Sequence, residues 1–220
     1  MKIVAIIPIK KNSKRIQGKN FRKINGKPLY KFLLEKLKKT KFDEIYVDSD
    51  SSTIKNYCKK NNLLFIDRLN YLKKDSANGN DLLNYHRRVI DADIYFQLFV
   101  TSPLLKISTI NKCIDLLKNS RFNDSILTSK DLYSFYWFKK KPINYKPKIL
   151  PRSQDLNPIT VETTGLYGIK RRALLKYKCR IGMKPIFFEV SEEESLDIDN
   201  SKDLQFLRYH VKNNLLSTNS

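Results

Sequence analysis

Apolar and polar positions along this chain follow two alternating rhythms. Ile3-Val4-Ala5-Ile6-Ile7-Pro8-Ile9 is a continuous apolar run of strand length, the pattern of a strand covered on both faces. Asn25-Gly26 then marks a turn, Pro28 suits a helix's first position, and Leu29, Phe32, Leu33 and Leu37 recur at helical spacing. A strand over 44–49 follows, then a helix capped within Asp50-Ser51-Ser52 and running to about Asn61. A strand over 63–66, a polar loop with Asn78-Gly79, a helix over 81–91 and a strand over 94–98 continue the order. Strand alternating with helix predicts an α/β fold, Rossmann-like and doubly wound around a mostly parallel sheet.

The alternation resumes with a helix over 108–119 and a strand over 125–128, then breaks between Ser134 and Pro158, where Trp137, other aromatics, prolines and Lys139-Lys140-Lys141 crowd together. This stretch predicts an inserted arm, at about 134–163, on a single domain covering 1–220. A hairpin of that size cannot bury its aromatics alone, so the arm is expected to pack on a second subunit, making a homodimer. A strand over 164–170, a short helix over 172–177, a strand over 186–190 and a helix from about Ser201 close the pattern.

Composition adds a strong positive balance, 43 Lys+Arg against 22 Asp+Glu for a net charge of +21. The lysines are spread over every predicted helix, as in Lys31, Lys36, Lys38 and Lys39, which points away from a dedicated nucleic-acid face. A basic nucleic-acid-binding protein is the rival reading from another class. The charge also favours encounter with small anionic ligands. Cys58, Cys113 and Cys179 stand singly and are expected as core residues, and His86 and His210 are expected at the surface of helices. No apolar run approaches the roughly 20 residues of a membrane span, and Met1-Lys2 leads straight into a strand, so a cytoplasmic protein is expected. Neither G-x-x-x-x-G-K-[ST] nor G-x-G-x-x-G occurs, which excludes the P-loop and dinucleotide fingerprints.

Candidate chemistry sits at the two ends. The first strand empties into Lys10-Lys11-Asn12-Ser13-Lys14-Arg15-Ile16-Gln17-Gly18-Lys19-Asn20, and ligands of open α/β sheets bind beyond strand carboxyl ends, so this loop reads as a polyphosphate cradle. Near the far end, Asp197 and Asp199 lie two apart, on the same side of an extended segment, a spacing that suits Mg2+ shared with substrate phosphates. The alternative is a helix entrance capped by Asp199 or Ser201.

In order along the chain, Pro8 to Asn20, Gly26-Lys27-Pro28-Leu29, Val47-Asp48-Ser49-Asp50, Thr101-Ser102-Pro103-Leu104, and Ser195-Leu196-Asp197-Ile198-Asp199 with the later Asp203 resemble the motifs of the acylneuraminate cytidylyltransferase family. That family activates sialic and related nonulosonic acids as CMP derivatives, with ketodeoxyoctulosonic acid enzymes as cousins. The resemblance implies a nucleotide-diphospho-sugar transferase fold, CTP and a small acidic sugar as partners, Mg2+ on Asp197 and Asp199, and catalytic roles for Lys14, Lys19 and Asp199. The nucleotide site it implies comprises Lys10, Ser13, Lys14, Arg15, Lys19 and Asn20, with Lys14 near the triphosphate and Asn20 near ribose or base.

Three departures stand out. Lys10 replaces an arginine, losing the planar two-pronged contact with phosphate, and Arg15 is the candidate for the missing fork, against a solvent-facing arginine. Phe99 replaces the glutamine expected near the acidic sugar, so Gln97, with Thr101 and Ser102, is the candidate there, against an ordinary strand residue. Arg152, Gln154 and Glu162 are candidate readers of a substrate carboxylate, phosphate or hydroxyl, or else stabilise the arm.

Overall fold

A computed structural model describes residues 1–13 and 15–217, so Lys14 lies outside the described residues. The chain opens with β1 (Ile3–Ile9), followed by the small pair β2 (Lys23–Ile24) and β3 (Lys27–Pro28) around Asn25-Gly26. Both turn residues have positive φ, 47° and 84°, which is why an Asn-Gly pair stands there. Next come α1 (Leu29–Leu37), β4 (Glu44–Ser49), α2 (Ser52–Lys60), β5 (Leu64–Asp67), α3 (Gly79–Val89), β6 (Ile94–Leu98) and α4 (Ile107–Asn119). The second half contains β7 (Ser125–Leu132), β8 (Trp137–Phe138), β9 (Lys141–Pro142), β10 (Ile159–Lys170), α5 (Arg171–Tyr177), β11 (Pro185–Glu189) and α6 (Ser201–Ser217).

Seven strands form one mixed sheet in the order β11-β7-β10-β6-β1-β4-β5. The central strand β1 runs parallel to both β4 and β6, while β10 is antiparallel to β6 and β7. Along β1 the side chains divide strictly by parity. Ile3, Ala5, Ile7 and Ile9 enter a core with Leu33 and Leu34 of α1, Ile54 of α2 and Ile110 and Ile114 of α4. Val4 and Ile6 enter a second core with Leu83 of α3 and Leu174 of α5. Helices thus cover both faces, which explains why β1 reads as an unbroken apolar run. Cys58 and Cys113 are buried in the first core, where desolvation pushes their thiols up to about 11 and about 12.

Two expectations need revision. The strands β7 and β10 extend to Leu132 and back to Ile159, so the root of the predicted arm is an antiparallel ribbon continuing the sheet. Its polar, half-exposed sequence hid it, because backbone pairing rather than a buried face holds the ladder. His86 is not on the surface but wholly buried, because it continues the apolar face of Leu82 and Leu83 on α3.

The connectivity places the site. From β1 the chain builds outward through β4 and β5, then returns to lay β6 on the other side of β1. The carboxyl ends of β1 and β6 therefore flank a topological switch point, where open sheets leave a crevice. A third apolar cluster, Ile16, Ile24, Leu29, Ile198, Leu204 and Leu207, clamps the loop after β1 against the segment entering α6. The two ends of the chain meet there.

Candidate active site

The loop leaving β1 is held by its own backbone. Lys11 N–H donates to Asp50 Oδ1 at 2.7 Å, and Asn20 Nδ2 donates to the Lys10 carbonyl at 2.9 Å. Gly18, with φ 62°, turns the chain into a single 3-10 turn, Lys19–Phe21, that buries Lys19 and Asn20. A cavity of about 270 Å³ opens at the switch point, lined from this loop by Lys10, Ser13, Lys19 and Asn20. Arg68 and the α3 entrance, Asn78 and Gly79, form one wall; Phe99, Thr101 and Arg180 form another. Within it, Asn20 Oδ1 is a buried acceptor without a partner among the described residues.

Lys19 links the cavity to the far end of the chain. Its Nζ donates to the Ile198 carbonyl at 2.5 Å and to Asp199 Oδ1 at 3.1 Å. Ile198 N–H in turn donates to the Thr101 carbonyl at 2.8 Å, so the loops after β1 and β6 and the entrance to α6 form one unit. Arg15 pairs with Asp199 Oδ2 instead of lining the cavity, and its side chain is 69% exposed. Lys10 reaches Asp75 Oδ1 at 2.6 Å. Asp197 Oδ2 accepts from Thr164 Oγ1 at 2.8 Å, and Thr164 has φ 57°, a costly conformation for a β-branched residue, at the irregularity in β10.

The carboxylates are not consumed by capping. Asn200 Oδ1 accepts from the N–H groups of Lys202 and Asp203, and Asp203 Oδ2 accepts from that of Asn200. This reciprocal arrangement caps α6 and answers the helix-entrance alternative, since the cap is Asn200 rather than Asp199 or Ser201. Asp197 Oδ1 is buried with no hydrogen-bond partner among the described residues. No third His, Cys, Asp or Glu joins these two carboxylates in a cluster among the described residues. Two carboxylates, one with an unspent oxygen, fit a hard cation that completes its shell with water and phosphate oxygens.

The other candidates fall into three places. Gln97 is fully buried behind the cavity, its Nε2 donating to the Gly79 carbonyl at 3.1 Å while Oε1 has no partner among the described residues. Ser102 is buried beside Gly165, and Glu162 Oε2 accepts from the Tyr167 hydroxyl at 2.7 Å. Burial and that bond to Glu162 push the Tyr167 phenol well above its usual range. Arg152 and Gln154 are exposed on the arm, Arg152 gripping Asp155, and neither lines the cavity in the single chain.

Sequence reasoning missed two features. Asp48, Arg68 and His86 form a buried network: Asp48 binds Arg68 through Oδ1 and approaches His86 Nε2 at 2.5 Å through Oδ2. Burial alone would raise the Asp48 carboxyl, but the His86 bond and the Arg68 charge outweigh it and hold it below its usual value. His86 recurring with Leu82 and Leu83 was the legible signal. Lys36, half-buried, donates to the carbonyls of Pro103 and Leu105 at 2.6 and 3.0 Å, supporting the loop after β6 from below. Burial lowers its pKa to about 8.

A basic cavity at the switch point of an open sheet, tied through Lys19 to Asp199 ahead of the last helix, is the arrangement of a nucleotide-handling α/β protein. Residues 4–187 match the family described as Cytidylyltransferase, and the chain belongs to that family. It is 26% identical over 208 residues to the pseudaminic acid cytidylyltransferase and UDP-2,4-diacetamido-2,4,6-trideoxy-beta-L-altropyranose hydrolase of Helicobacter pylori, covering 90% of this chain and 40% of that one. To the N-acylneuraminate cytidylyltransferase of Streptococcus agalactiae serotype V it is 23% identical over 221 residues, covering 96% of this chain and 54% of the relative. The chain thus spans about half or less of these curated relatives. The solved structure of CMP:2-keto-3-deoxy-manno-octonic acid synthetase complexed with CTP superposes with a TM-score of 0.74 at 17% identity, covering 97% of this chain and 100% of that one. That likeness concerns the fold.

Proposed function

We propose that this chain is a magnesium-dependent cytidylyltransferase that couples CTP to a nonulosonic, sialic-acid-like keto sugar acid with release of pyrophosphate. The observation that carries the reading is Lys19, which is buried, lines the cavity, and pairs with Asp199. The new bond joins an acceptor hydroxyl oxygen to the α-phosphorus, and the bond from that phosphorus to the bridging oxygen of pyrophosphate breaks. Lys10 and Lys19 set positive charge beside the phosphates, and with Lys14 they offset the charge that grows on the leaving pyrophosphate. Asn20 Oδ1 offers a buried acceptor for a ribose hydroxyl or the cytosine amino group. Asp197 and Asp199 would hold Mg2+, which supplies charge neutralisation and alignment of the triphosphate when bound. Positioning and electrostatics account for catalysis of this kind without a covalent enzyme intermediate.

The chain is a single domain in this reading, and its arm docks on a second copy. Support comes from Trp137 and Ile149, 56% and 73% exposed at the end of the ribbon, and from Arg152 and Gln154, which a partner's cavity would use and the chain's own does not. The nonulosonic acceptor is favoured by the two sequence relatives.

Pyrophosphate release measured with each nucleoside triphosphate against a panel of sugar acids tests this. CTP with a nonulosonic acid is the expected pair. Turnover only with 3-deoxy-octulosonic acid moves the acceptor, and none with CTP and any acid ends the reading. Asp199→Asn should raise the magnesium needed for half-maximal rate about 10-fold. An unchanged magnesium dependence removes Asp199 from the metal site.

A further inference from the structure

Among the cavity's cations, Arg180 differs in how it is held. Lys10 is paired with Asp75, Lys19 with Asp199 and Arg68 with Asp48. The Arg180 guanidinium has no carboxylate partner among the described residues. It lies instead against aromatic rings, its carbon 3.6 Å from the centre of Tyr167 and 5.8 Å from that of Phe99. Tyr167 and Phe99 meet edge to face, at 6.4 Å and 89°, and make a rigid corner behind it.

The backbone delivering this side chain is pinned. Arg180 N–H donates to Asn80 Oδ1 at 2.9 Å, and the Lys178 carbonyl accepts from Asn84 Nδ2 at 2.7 Å, so the turn after α5 is stapled to α3 twice. Space for the guanidinium exists because residue 79 is glycine: a Cβ there would stand 2.8 Å from Arg180 Nη1 and 3.1 Å from Gln97 Oε1. A stacked guanidinium satisfies its faces with π density and leaves its in-plane N–H groups for a planar, two-oxygen anion. Gln97, the other group that a Cβ at residue 79 would meet, is a neutral amide, and no carboxylate among the described residues pairs with the guanidinium to cancel its charge. Phe99, standing where a glutamine was expected, forms part of the platform.

We propose that Arg180 is the anion reader on the acceptor side of the cavity and takes the carboxylate of the sugar acid, with Tyr167 and Phe99 as its platform and Gln97 beside it. This rests on the proposed acid-activating function. The nucleotide phosphates are the other anion in reach, and they are served by the loop after β1.

The test is calorimetric titration of the intact chain and of Arg180→Gln. One arm uses CTP with magnesium; another titrates the sugar-acid panel onto protein saturated with the non-reacting α,β-methylene analogue of CTP. The proposal expects acid affinity to fall about 10- to 100-fold, as for loss of a charged hydrogen bond, with CTP affinity within about 2-fold of the parent. Arg180→Lys, the variant to rely on if the glutamine variant does not fold, keeps the charge without the stacked fork and should fall between. The methyl ester of the bound acid should not distinguish parent from variant. Unchanged acid affinity, or a loss confined to CTP, overturns the proposal, as does failure of the parent to bind any acid. Pyrophosphate release keeps the two readings apart. Transfer to an acid that Arg180→Gln leaves unaffected sinks only the role of Arg180, whereas acid binding lost in the variant without cytidylyl transfer in the parent sinks only the proposed reaction.

Discussion

The two walls of the switch-point cavity hold their cations by different physics. On the loop after β1, Lys10 and Lys19 are each tied to a carboxylate, and Lys19 spends a further donor on the Ile198 carbonyl. On the opposite wall Arg180 is held by ring faces and by two staples on its backbone segment. Pairing orders a lysine and also neutralises it, so a ligand on that side must exchange partners or bring a metal that does. Stacking orders an arginine and leaves its charge unspent. Arg68 makes a third case, locked by Asp48 inside a buried network yet bordering the same cavity.

The largest expected effect tests that third case. Asp48→Ala would leave Arg68 buried and uncompensated, and should lower unfolding stability by about 3–5 kcal/mol in urea titration. Arg180→Gln should change stability far less, because no buried counter-charge depends on it. Equal losses would erase the distinction between paired and stacked arginines.

Next in size, Lys19→Met should lower kcat/KM for CTP by about 10²- to 10³-fold in steady-state pyrophosphate release, in line with loss of one positioned electrostatic group. A loss below about 3-fold would mean that Lys19 serves the joint between chain ends rather than the reaction.

The smallest effect concerns the floor beneath the loop after β6. Burial gives Lys36 a folded pKa of about 8 against an ordinary lysine value of 10.5. Between those values the unfolded chain holds a proton that the folded chain has released, so stability attributable to Lys36 rises with pH across that window. Urea unfolding from pH 7.5 to 10 should show an upward slope in the parent relative to Lys36→Met. Parallel curves would place the lysine charge in water and detach it from that loop.

Legibility in the sequence followed from what each pattern encodes. The unbroken apolar run of β1 announced a strand covered on both faces, and the helical spacing of α1 announced its apolar stripe; both are consequences of local periodicity. The root of the arm was missed because the ladder between β7 and β10 is held by backbone bonds that leave no mark on side-chain pattern. His86 was misplaced because its neighbours Tyr85, Arg87 and Arg88 outweighed its recurrence with Leu82 and Leu83, and its partner Asp48 lies far off in the chain. Arg180 went unremarked because nothing in its neighbourhood along the chain announces Tyr167 and Phe99.

By itself the sequence determined the α/β class, the basic loop after β1 and the carboxylate pair before α6, because strand and helix periodicity and ordered motifs are local properties. Tertiary structure alone decided that β6 returns to the far side of β1, that Lys19 reaches Asp199, and that Arg180 lies on Tyr167. Those are meetings between residues far apart in the chain, brought about by burial of shared apolar clusters that no window of sequence contains.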